Sequence, residues 1–171
     1  MHDLAKAALL LAQSIKKEMP STYVPPSEGA IPKSQMILPH ALVKNTRGYI
    51  ERVLFQINGA YENGWYDACA VMIRRFIETL IIELFECYRI DHKIKNTNGD
   101  FKYLADLISA TLAEKSWNLG RNAKQALPKL KDIGDKSAHS RRYNAYREDI
   151  DKVITDLRTV AQELLYLSKL K

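Results

Sequence analysis

Residues 64–88, GWYDACAVMIRRFIETLIIELFECY, decide the fold. Asn63-Gly64 is a turn signal at the start of this stretch. The polar run Asp91-His92-Lys93, then Asn96-Thr97-Asn98-Gly99, closes it off. Between these breaks apolar residues occupy nearly every side of a helical wheel, the mark of a central helix rather than a surface one. At about 1.5 Å per residue such a helix spans roughly 35 Å, the height of a small domain. Asp67, Arg74 and Glu78 fall within about 40° of one another on that wheel, a single narrow polar face. Arg75 lies beside them, three residues before Glu78. A charge in an otherwise apolar helix is costly unless paired, and the spacing offers Arg74–Glu78 and Arg75–Glu78 pairs. The cluster reads either as a structural ion pair or as an anion site, with one arginine reaching across the bundle.

Working outward, residues 3–18 read as an amphipathic helix carrying Leu4, Ala8, Leu11 and Ile15. Five of the six prolines (20, 25, 26, 32 and 39) follow within twenty residues. That segment cannot be one helix; it is either a tether or a long ordered loop. A helix is expected from about Ala41 to Asn63, with Ile50, Leu54, Ile57 and Tyr61 inward. After the central helix, Asp100 is expected to cap a helix from Phe101 to Ala113, with Phe101, Leu104, Ile108 and Leu112 inward. Residues Trp117 to Ala138 form a weaker pattern with Ala123, Leu127, Leu130 and Ile133, and Pro128 predicts a kink or a fresh start. The last helix, about Glu148 to Leu170, repeats Ile150, Val153, Leu157, Val160, Leu164 and Leu167 at offsets of three and four. That stripe is read as core, with a dimer seam as the alternative. No stretch alternates with period two. The fold class is therefore all-α, a bundle of about five to six helices over 41–171, preceded by an N-terminal helix and proline-rich segment over 1–40.

The chain of 171 residues, 46% apolar, has the length of one domain and can bury a real core. Its formal charge of +6 is localised. Residues 121–147 hold eight Lys or Arg against Asp132 and Asp135, so the remainder is close to neutral. This basic stretch is either a solvated face or a phosphate-binding surface. Cys69 and Cys87 sit 18 residues apart on one helix, about 27 Å, and cannot bridge each other. Reduced thiols of this kind suit a cytoplasmic protein. The start, MHDLAKAALLLAQ, is a poor signal peptide, and Glu78 and Glu83 break the richest apolar stretch. A soluble protein is expected.

Glycine-rich phosphate loops, paired Cys/His ligands, His-Glu-x-x-His and Gly-x-Ser-x-Gly are all missing, so neither a metal nor a cofactor is expected. Of four histidines, His139 stands out, in GDKSAHSRRY two residues before Arg141-Arg142. An imidazole titrates near pH ~6.5 and can shuttle a proton at neutral pH. Guanidinium groups nearby can hold a phosphodiester and stabilise the charge that develops on it. These are the ingredients of metal-independent RNA cleavage; a capping or structural histidine is the alternative.

The long helix with Ala70, Arg74-Arg75, Glu78 and Leu80, followed late in the chain by Leu130-Lys131-Asp132-Ile133-Gly134-Asp135-Lys136-Ser137-Ala138-His139, resembles the HEPN superfamily (higher eukaryotes and prokaryotes nucleotide-binding). The nearest likeness is to its bacterial branch of uncharacterised HEPN-like domains, over about residues 45–170. The resemblance implies an up-and-down helical bundle, often a homodimer with two facing active-site segments. Many members are metal-independent ribonucleases of toxin–antitoxin and phage-defence systems; others bind RNA or nucleotides without cleaving. The family signature is Arg, a polar residue, about three others, then His. His139 matches the histidine and Asp135 the polar position. Gly134 or Asp132 stands where the arginine belongs, and Arg142 is the candidate substitute if the helix continues that far.

Two functions are thus expected from different classes. In the first, the chain binds RNA or a nucleotide through Lys136, Arg141, Arg142, Arg74 and Arg75; if it cleaves, His139 is the general acid/base and Arg142 or Arg74 the phosphate clamp. In the second, it is a non-catalytic interaction module, with the last helix as its dimer seam.

Overall fold

Gly64 adopts a φ of +74°, a left-handed conformation that costs glycine no Cβ clash, and it folds one helix back onto the next. The structure, a computed structural model, describes residues 36–171, which fall in one compact unit. The helix expected over residues 3–18 and all the prolines before Pro39 lie outside the described residues. Six α-helices follow: α1 Gly48–Glu62, α2 Tyr66–Cys87, α3 Leu104–Ala113, α4 Arg121–His139, α5 Arg147–Asp151 and α6 Ile154–Leu167, with short 3-10 turns at His40–Leu42 and Asp91–Ile94. An isolated bridge between Lys95 and Phe101 is the one β-type pairing among the described residues. The architecture is an all-α helical bundle, as its periodicity predicts.

The central helix forms as expected. α2 packs against α1, α3, α4 and α6 and buries Phe76, Ile77, Leu80, Leu84 and Phe85 completely. Each such side chain stabilises the fold by roughly 2 kcal/mol. Burial is less even than the wheel predicts, because Val71 and Arg75 form an exposed strip on α2. One buried acid interrupts the core: Glu83, 4% exposed, accepts from Tyr49 Oη and pairs with Arg47 Nε at 3.0 Å. Burial pushes its carboxyl up, against the opposing pull of Arg47.

Several helix starts differ from expectation, each for a local reason. α1 begins at Gly48 rather than Ala41: the 3-10 turn ends at Leu42, and Asn45 at φ +67° interrupts a right-handed helical path before Gly48. Upstream, Ile37 and Leu38 already belong to the core. Buried Asn58 accepts from both their amides and donates to Leu38 O at 2.8 Å, while Arg158 on α6 donates to the carbonyls of Met36 and Ile37. α3 begins at Leu104, not Phe101. Asn96 Oδ1 accepts from the amides of Asn98 and Asp100, so Asp100 closes a turn instead of capping a helix. Phe101 and Leu112 consequently stay partly exposed, while Leu107 and Thr111 join Leu104 and Ile108 inside.

α4 starts at Arg121 and runs unbroken through Pro128. The proline sits on the exposed side, so the carbonyl of Lys124 that it leaves unpaired can meet water. The expected last helix is two, divided at Lys152-Val153. Ile150, Leu157, Val160 and Leu164 are fully buried in this chain's own core, as the core reading of that stripe expects, while Val153 and Leu167 are partly buried.

Candidate functional site

α4 carries most of the expected site, and the way it meets α2 sets the geometry. At Gly134 the two helices touch: a Cβ there would lie 2.5 Å from Arg74 Cβ and 3.1 Å from Ala70 O. This is the position at which the four-residue spacing to His139 would place an arginine, and any side chain there would force the helices apart. From across the contact Arg74 Nε reaches Asp135 Oδ1 at 2.8 Å, and its Nη1 lies 3.7 Å from Glu78 Oε2. Lys131 Nζ holds the other Asp135 oxygen at 2.5 Å. Burial alone would raise the Asp135 carboxyl, but the bonds from Lys131 and Arg74 outweigh it and hold it below its ordinary value.

Arg74, Glu78, Lys131 and Asp135 thus form one balanced network of two cations and two anions, each side chain about a quarter to a third exposed. Arg75 is not part of the ion pair; it points outward on the exposed strip and has no acidic partner among the described residues. The bond that joins helices is Arg74–Asp135, which wheel geometry on a single helix cannot reveal. Lys136 pairs with Asp132 at 2.7 Å, Lys129 with Asp156 at 3.1 Å.

His139 is the last residue of α4 and is exposed. Ser140 at ψ 121° turns the chain away, so Arg142 does not continue the helix as the sequence reading required. Arg141 and Arg142 lie in the following turn, exposed, with no acid paired to them among the described residues. Their loop is held at its far end. Asp67, at the start of α2, accepts from Ala145 N at 2.9 Å. Arg147 Nε donates to Tyr61 Oη at 3.0 Å and lies over the Tyr61 ring, 5.5 Å from its centre. Tyr61 Oη donates to Asp151 at 2.5 Å, and burial with this bond pushes its hydroxyl up. Asp149 accepts from Tyr146 N and Tyr143 Oη; the Tyr146 amide is the main cause of its lowered carboxyl.

The structure therefore brings Arg74 to Asp135, leaves Lys136 paired with Asp132, and leaves His139, Arg141 and Arg142 open to solvent. Sequence reasoning missed this latch. Tyr61 and Asp67 carried a signal, as polar groups on inward faces, but nothing local named their partners.

Among the described residues no group of three or more His, Cys, Asp or Glu side chains is placed to hold a metal ion, and no helix is long and apolar enough to cross a membrane. Two surface recesses, one beside Tyr88 and Tyr166 and one beside Asn96 and Phe101, include none of His139, Arg141 and Arg142. Compared with known proteins, the chain matches no family model, no curated protein and no solved structure.

Proposed function

We propose that this bundle binds RNA through the exposed surface formed by His139, Arg141 and Arg142, in the manner that its HEPN resemblance implies. The observation that carries this reading is the pairing pattern of the basic stretch. Lys129, Lys131 and Lys136 are each matched to an aspartate, whereas Arg121 and Lys124 at the start of α4 and Arg141 and Arg142 beyond its end are exposed and unmatched among the described residues, and of these only Arg141 and Arg142 adjoin His139, on a loop anchored beyond them. Unmatched guanidinium groups on an open surface suit a phosphate backbone, whose counterions they displace. A polymer lying across the surface fits this region better than a small enclosed ligand.

Cleavage has a narrower basis. His139 is accessible for general acid/base work, with Arg142 as its phosphate clamp, because Arg74 is already engaged by Asp135 and Glu78. The missing arginine at Gly134 favours binding without cleavage. The interaction-module reading has less support, since Ile150, Leu157, Val160 and Leu164 of its seam stripe are buried within the chain. A cytoplasmic homodimer with facing His139 segments remains part of the proposal, and sedimentation of the purified protein tests it.

The direct test is incubation with a mixed RNA pool in EDTA, beside His139→Ala. Retained RNA without cleavage is expected for a binding domain, and cleavage by the wild type alone would make the protein a ribonuclease. Neither binding nor cleavage would end the RNA reading.

A further inference from the structure

We propose that Trp65 and Tyr146 form a base-stacking rim beside Arg141 and Arg142, so that the bound RNA is single-stranded; the inference rests on the RNA reading above. The two tryptophans of the chain have opposite environments. Trp117 is 8% exposed, packed edge-on against Phe85 and Tyr88, and its Nε1 donates to Thr111 O. Trp65 is 62% exposed. Tyr146, between Ala145 and Arg147 in the anchored loop, is 69% exposed. Side chains of this size normally bury most of their area, and an exposed pair at one place calls for a partner surface.

The 2.9 Å bond from Ala145 N to Asp67 joins the two chain segments that carry these rings. Trp65 precedes Asp67 by two residues, and Tyr146 follows Ala145 by one. Both therefore flank a single contact at the start of α2, and Arg141 and Arg142 enter the same loop three to four residues earlier. Residues next to both rings in the chain are held together: Tyr61 packs edge-on against Tyr66 and under the Arg147 guanidinium. Aromatic faces next to unmatched arginines are the two components of single-strand recognition, stacking for the bases and charge for the backbone. In a duplex the bases are already stacked and unreachable, so only the arginines could contribute.

The test uses the purified full chain and a short fluorescent 2′-O-methyl RNA, which 2′-hydroxyl attack cannot cut, free or annealed to its complement. Fluorescence anisotropy is read for the wild type, Trp65→Ala, Trp65→Phe, Tyr146→Ala and Arg141→Ala/Arg142→Ala. The single strand is expected to bind about tenfold or more tighter than the duplex. Trp65→Ala and Tyr146→Ala should each weaken single-strand binding about tenfold while leaving duplex binding unchanged, which also confirms that they fold. Trp65→Phe should keep the affinity but lose the quenching of tryptophan emission that accompanies binding by the wild type. Equal affinity for strand and duplex, or alanine variants that bind like the wild type while the double arginine variant does not, would overturn the stacking rim and leave the RNA reading standing. Failure of the wild type to bind either probe would overturn both.

Discussion

Gly134 shows how one residue can fix both a packing geometry and a chemical option. In an ordinary helix, glycine to alanine gains about 1 kcal/mol. Here the added methyl would meet Arg74 Cβ at 2.5 Å and the backbone oxygen of Ala70 at 3.1 Å, and backbone cannot rotate away. Gly134→Ala is therefore expected to destabilise the fold by about 1–3 kcal/mol, read as a lower urea midpoint. A variant as stable as the wild type would mean that α2 and α4 do not approach this closely. The same contact explains why an arginine cannot stand there.

The cysteines give a second residue-scale test. Burial pushes the Cys69 thiol up to about 12, whereas Cys87 is half-buried near the end of α2. A thiol reagent at neutral pH should label one cysteine readily and the second only on unfolding.

Between elements, the Arg74–Asp135–Lys131 staple makes stability depend on pH with a definite sign. The folded carboxyl of Asp135 lies below its ordinary value of 3.8. Its contribution is therefore complete above the unfolded value, about 3.9, and is lost as pH falls through the folded one. With the side chains about a quarter to a third exposed, that contribution is on the order of 1 kcal/mol. Asp135→Asn should lower stability by this amount at pH 7 and by progressively less below pH ~4, as followed by urea unfolding across the acid range. An unchanged pH profile would mean that the staple does not form in solution.

The loop anchor is testable in the same way. Asp67→Ala removes the acceptor of the Ala145 amide, at a net cost of about 1 kcal/mol. Hydrogen exchange in the segment 141–147 should quicken while that in α2 does not.

Helices could be read from the sequence more readily than their partners. The inward positions of α1, α4 and α6 follow from periodicity, and Ile50, Leu54, Leu127, Leu130, Leu157 and Leu164 are buried as expected. Boundaries failed where a local side-chain bond competed with the helix, as Asn96 did before α3. The staple was half legible, because spacing pairs Arg74 with Glu78 on one helix but cannot see Asp135, 61 residues away.

At the scale of the molecule, the formal excess of +6 coincides with residues 121–147, and pairing with aspartates sorts those cations into matched and unmatched. The location of the charge was legible in the sequence; which arginines stay free was not, since that depends on acids brought from other helices or neighbouring turns. The central claim is that Arg141 and Arg142 meet RNA phosphates. The measurement that tests it is the salt dependence of RNA binding by the wild type and by Arg141→Glu/Arg142→Glu. Each phosphate contact contributes roughly 0.7 to the slope of log affinity against log salt for a single strand. A steep slope is expected for the wild type, and a double variant with much weaker binding and a slope shallower by about 1.4 or more. Equal affinity and an equal slope in the two proteins would contradict it.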